Sequence, residues 1–141
     1  MKPLSIVIAD DLQEIQHLVS LWLGGEGHAV TCASGGREVG QLLKEREFDL
    51  VITDMLMPHG DGVEVLTALK KMQSRSRVLA ISGGGTYLRA HDVLNVARGF
   101  GAHNVLMKPF NRQQLLEAVA QVMGEADVTR AAVGDSLAAP H

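Results

Sequence analysis

Leu4–Ala9 (LSIVIA) is a short, almost unbroken apolar run with β-branched residues, and it stops at two aspartates. Such a run reads as a strand buried on both faces. The pattern returns at Asp49–Thr53, which stops at Asp54, at Val78–Ile81, which stops at Ser82 and three glycines, and at Val105–Met107, which stops at Lys108-Pro109. His28–Cys32 is a weaker strand between Gly27 and the Ser34-Gly35-Gly36 break. Between these runs the apolar residues fall at helical spacing: Ile15, Leu18, Val19 and Trp22; Val39, Leu42 and Leu43; Val63, Val65, Leu66 and Leu69. Two further helices are predicted, over Leu88–Phe100 and Arg112–Met123. Strands alternating with helices build right-handed βαβ units on a parallel sheet, so the expected class is α/β with a (βα)₅ arrangement. After Gly124 the helical pattern lapses into small residues, and Glu125–His141 is expected to be a mobile tail. The expected division is therefore one domain over 1–124 and a tail over 125–141, with no room for an output domain.

Composition narrows the function classes. A chain of 141 residues can bury a core without disulfides or a structural metal. Hydrophobic residues at 46% and charged ones at 21% are those of an ordinary globular protein, and aromatics at 4% leave Val, Leu, Ile, Ala and Met to fill the core. The net charge of −3, with 13 scattered Lys and Arg, offers no field for nucleic-acid phosphates, so direct nucleic-acid binding is not expected. The amino-terminal apolar run is too short for a signal-peptide core or a membrane span, and a reducing cytoplasm is the expected compartment. The single cysteine, Cys32, stands in an apolar stretch and is expected to be a buried, inert thiol. None of the six histidines forms a close metal-ligand spacing, so they read as surface or loop residues rather than a zinc site.

The chemistry collects at strand ends. In an open parallel sheet, reactive groups lie outside the carboxyl ends of the strands, where strand order reverses. Asp10 and Asp11 end the first strand, Asp54 the third, Ser82 the fourth and Lys108 the fifth. Each alone has a plainer reading: an aspartate caps the next helix, a serine makes a turn, a Lys-Pro sits on the surface. All five at one rim are a different matter. Three carboxylates at one edge repel unless a cation offsets them, and oxygen-only ligands suit Mg²⁺. With Mg²⁺ and the Lys108 ammonium the three carboxylates are neutralised, and a phosphoryl group is accommodated. A carboxylate is a competent nucleophile towards phosphorus, with transfer resting on position and on neutralising the outer oxygens. Ser82 would donate to one of those oxygens, and Gly83, Gly84 and Gly85 would let the backbone approach closely.

These motifs, Asp10-Asp11, Thr53–Pro58 with Asp61-Gly62, Ile81-Ser82-Gly83 and Lys108-Pro109-Phe110, together resemble the receiver domains of two-component response regulators, over about Leu4 to Met123. The resemblance implies a flavodoxin-like three-layer sandwich with strand order 2-1-3-4-5. It implies phosphorylation of Asp54 by a histidine kinase or histidine phosphotransfer protein, with Ser82 and Lys108 on the phosphoryl oxygens. Mg²⁺ would be held by Asp11, Asp54 and the backbone carbonyl of Leu56, with Asp10 acting through a metal-bound water. A cis Lys108–Pro109 peptide is also implied. Such a chain catalyses only its own phosphorylation and dephosphorylation.

Three departures bear on output. Val105 stands where the family often carries an aromatic that swings inward, Ser82 replaces a common Thr, and the stretch from Ser82 to Lys108 is a few residues longer than usual. The leading expectation is a stand-alone receiver that signals by protein contact. The alternatives are a phosphorylation-independent scaffold, and a phosphatase of small substrates; the latter is disfavoured because Leu56 stands where a second acid/base is needed.

Overall fold

The computed structural model describes residues 2–55, 62–72, 74–83, 95, 97–99 and 101–131. Five strands, β1 (Ser5–Ala9), β2 (Ala29–Ala33), β3 (Leu50–Asp54), β4 (Arg77–Ser82) and β5 (Asn104–Met107), form one parallel sheet in the order β2-β1-β3-β4-β5. Each lies within one or two residues of its apolar run. The described helices are α1 (Gln13–Gly24), α2 (Gly36–Glu45), α3 (Gly62–Lys71) and α4 (Arg112–Ala131). Residues 95 and 97–99, within the predicted Leu88–Phe100 helix, are helical, and the rest of that segment lies outside the described residues.

Alternation along the central strands creates two cores. On one face, Ile6, Ile8, Leu50, Ile52, Leu79 and Ile81 pack with Val19 and Leu23 of α1 and with Leu115, Val119 and Val122 of α4. On the other, Val7, Val51, Val78 and Ala80 pack with Val39 and Leu43 of α2 and with Val65, Leu66 and Leu69 of α3. Helices therefore cover both faces, which makes the expected three-layer α/β sandwich. All five positions of β3 are buried, as a strand with helices on both sides requires. The apolar residues Leu115, Ala118, Val119 and Val122 of α4 recur at helical spacing and are buried. Its start is fixed reciprocally: Gln114 N donates to Asn111 Oδ1 at 2.8 Å, and Asn111 N donates to Gln114 Oε1 at 2.9 Å.

Two expectations need revision. The last helix passes the predicted stop at Met123 and runs to Ala131, so 125–131 is helical; a glycine such as Gly124 costs an exposed helix only about 1 kcal/mol. Cys32 is exposed, not buried, because β2 is an edge strand with a neighbour on one side only; its Sγ lies 3.1 Å from Ser20 Oγ. His28 and His103 are loop residues as expected, and each also makes a structural contact. Both are half-buried, and their Nδ1 atoms accept backbone N–H bonds from Leu4 and Val78, each at 3.0 Å. Each follows a turn whose glycine takes a positive φ, Gly27 at 93° and Gly101 at 108°, a conformation that disfavours any side chain.

Candidate functional site

Strand order reverses between β1 and β3, and the residues that leave those two strands meet there. One carboxylate oxygen from each of Asp10, Asp11 and Asp54 lies within 4.8 Å of the others. Lys108 enters from the end of β5, with Nζ 3.1 Å from Asp54 Oδ2 and 3.2 Å from Asp10 Oδ2. Its backbone is tied to the rim as well, through Lys108 N to Ser82 O at 2.8 Å, and the Lys108–Pro109 peptide is cis. Ser82 is half-buried at the end of β4, in register with Met107 of β5. Two neighbouring strands thus deliver the hydroxyl and the ammonium to the same edge as the acids. Leu56, Pro58, His59, Gly60, Asp61 and the 84–94 stretch lie outside the described residues, and so does the expected carbonyl ligand at Leu56.

Asp10 is fully buried and is the most constrained of the acids. Its N–H donates to Ala33 O at 3.1 Å, and its Oδ1 accepts from Leu12 N at 2.9 Å. Oδ2 is buried with no aligned hydrogen bond; the Lys108 ammonium beside it acts through charge. Burial pushes the Asp10 carboxyl above its ordinary value and the nearby Asp54 charge adds to this, against the lowering pull of the Leu12 N–H and of Lys108. Burial draws the Lys108 ammonium down, yet the hydrogen bond and charge of Asp54, joined by Asp10, outweigh it and hold the group above its ordinary value.

The arrangement gathers negative charge beyond what one lysine offsets, in a place partly closed to water. An all-oxygen donor set with a buried carboxylate oxygen lacking a hydrogen bond fits a hard divalent cation. Next to Lys108 a groove of about 370 Å³ runs between α1 and the start of α4, lined by Ile15, Leu18, Gly83, Pro109 and Phe110.

Residues 6–120, most of the chain, match the response regulator receiver domain. The chain belongs to that family. Among curated relatives, this receiver is 31% identical to the transcriptional regulatory protein GltR of Pseudomonas aeruginosa, over 95% of the chain and 54% of GltR. It is 30% identical to the DNA-binding transcriptional regulator NtrC of a Bradyrhizobium species, over 86% of the chain and 24% of NtrC. The chain thus spans about half or less of the length of these relatives. Among solved structures, the chemotaxis protein CheY4 of Vibrio cholerae superposes with a TM-score of 0.77 at 26% identity, covering 86% of this receiver and 99% of CheY4. A receiver domain from Clostridium thermocellum gives 0.75 at 28% identity, covering 89% and 98%. The family includes chains of about this size and longer regulators that carry the same unit. No helix among the described residues is long and apolar enough to cross a membrane.

Two features of the receiver site go beyond the sequence motifs. The Gln16 side chain bonds the backbone carbonyl of Asp10, and the groove beside Lys108 borrows Ile15 and Leu18 from α1. A Gln six residues after Asp10 gives no sequence signal by itself. The groove is legible in the sequence only as helical spacing on α1.

Proposed function

We propose that Asp54 is the phosphoacceptor of this receiver, and that a histidine kinase or histidine phosphotransfer protein is its donor. The carrying observation is Lys108 Nζ placed 3.1 Å from Asp54 Oδ2 and 3.2 Å from Asp10 Oδ2, so that one ammonium serves both carboxylates at the rim. An Asp54 carboxylate oxygen forms the new P–O bond as the P–N bond to the donor histidine breaks, and the electron pair leaves with the imidazole. Lys108 offsets charge on the transferred group, and Ser82 donates its hydroxyl to an outer oxygen. Asp10, Asp11 and Asp54, with the Leu56 carbonyl, would hold Mg²⁺, which supplies further charge neutralisation when bound. The apolar groove beside Lys108 offers an approach surface for the donor's histidine-bearing segment. Asp54 takes up and loses one phosphoryl group, so the chain modifies itself rather than turning over a free substrate.

Incubation with Mg²⁺ and acetyl phosphate tests this reading by intact mass. One phosphoryl adduct labile to alkali and hydroxylamine is expected on the native chain and none on Asp54→Asn. No adduct on the native chain, or an adduct that persists in the variant, overturns it.

One observation favours a second reading of the output. Val105 is half-buried against the core formed with α2 and α3, so this position carries no aromatic ring to move on phosphorylation. A phosphorylation-independent scaffold would bind its partner equally well with Asp54 intact or replaced by Asn. Unequal affinity favours the phosphoacceptor reading.

A further inference from the structure

We infer that Gln16 is a positioning residue for cation binding at the rim, holding the Asp10–Asp11 peptide in place without adding charge. The proposal rests on the Mg²⁺-dependent phosphoacceptor reading. Gln16 lies in the first turns of α1, half-buried, and its Nε2 donates to Asp10 O at 2.7 Å, the shortest hydrogen bond at the acid turn. The same amide stands 3.4 Å from Ala33 O and 3.5 Å from Ser34 Oγ, so it also reaches across to the end of β2.

What the bond fixes follows from the peptide plane. The Asp10 carbonyl and the Asp11 nitrogen share one rigid unit, so a donor that pins the carbonyl also sets the direction in which the chain enters Asp11. Asp10 itself is held on three sides: its N–H by Ala33 O, its Oδ1 by Leu12 N and its carbonyl by Gln16. Asp11 is half-buried and lies just beyond the last sheet bond, where the chain leaves β1. Repulsion among the three carboxylates acts on this turn, and a rotation of the Asp10–Asp11 peptide would let it relax. A fixed carbonyl opposes that motion and keeps Asp11 close enough to share a cation with Asp54.

Calorimetric titration of the native chain and of Gln16→Met with MgCl₂ tests the role, since methionine keeps the length and apolar stem and loses the donor. Loss of one hydrogen bond worth about 1 kcal/mol predicts a Mg²⁺ Kd weakened by about fivefold. Val122→Ala, a core variant in α4 far from the acids, is the control: it lowers urea stability and leaves the Mg²⁺ Kd within twofold of the native value. Equal affinity of the native chain and Q16M overturns the proposal. So does a parallel loss of affinity in V122A, which would make the effect one of general stability, and so does a Q16M chain that fails to fold, which would make Gln16 structural. If the native chain itself binds no Mg²⁺, the metal-dependent reading falls and the positioning role falls with it; if the native chain binds and Q16M binds with the same Kd, only the positioning role falls.

Discussion

At the amino ends of the strands, the backbone donors of Leu4, Ser5 and Val78 meet the His28 ring, the Asp49 carboxylate and the His103 ring at 2.8 to 3.0 Å. Ser76 Oγ closes the same end by donating to Phe48 O at 2.6 Å. A cavity of about 320 Å³ lies there too, and the charges along it, Glu47 and Asp49 against Arg75 and Arg77, offset one another. At the carboxyl ends the reverse holds: three carboxylates gather, one lysine pairs with two of them, and a buried oxygen of Asp10 has no aligned donor. One end of the sheet is built for stability, and the other holds like charges together at a cost to stability. The difference marks the carboxyl ends as the candidate functional rim, because like charges held together in a stable fold cluster at functional sites.

The largest expected effect comes from making the rim worse. Lys108→Met leaves two largely buried carboxylates without their shared cation, and breaking a pair of this kind costs about 3 kcal/mol. Urea denaturation at neutral pH should show the loss, and an unchanged midpoint would mean that the acids do not depend on Lys108. The Lys108 contribution has a clear sign with pH. Its folded value is raised, so its stabilisation is fully present below the ordinary 10.5 and disappears as pH rises through the folded value.

Next in size is a break at the amino end. His103→Leu leaves the Val78 N–H without its acceptor and should cost about 1.5 kcal/mol, whereas His103→Asn places an amide oxygen near the Nδ1 position and should recover most of it. Hydrogen exchange at Val78 checks the assignment: faster exchange is expected in the Leu variant and near-native exchange in the Asn variant.

The smallest effect runs in the opposite direction. Asp10→Asn keeps the acceptor for Leu12 N and removes a charge that burial and Asp54 disfavour, so a gain of about 1 kcal/mol is expected at pH 7, together with loss of Mg²⁺ binding. An acid whose folded value is raised stabilises the fold at low pH, and that contribution fades as pH rises from its ordinary 3.8 through the raised value. The advantage of D10N should therefore shrink as pH falls through that window. A destabilised D10N at pH 7 would show that the rim is not under repulsion.

Much of the molecule is legible along the chain itself. The strand runs can be read because central strands of a parallel sheet are buried on both faces, and the motif residues because each stands where an apolar run stops. Local pattern misleads at two places. Apolar neighbours make Cys32 look buried, but its exposure depends on β2 being an edge strand, which local sequence does not encode. Gly124 looks like the end of the last helix, yet the helix continues, since one glycine costs a helix only about 1 kcal/mol.

The sequence by itself determined the succession of strands and helices and the identity of the acids, the hydroxyl and the lysine, since period and strand termini are properties of neighbouring residues. Only the tertiary structure decided that Lys108 bridges Asp10 and Asp54, that Gln16 grips the Asp10 carbonyl and that His28 and His103 secure the two edge strands. Those are distances between segments far apart in the chain, and they exist only once the order of the sheet has set which strand ends lie side by side.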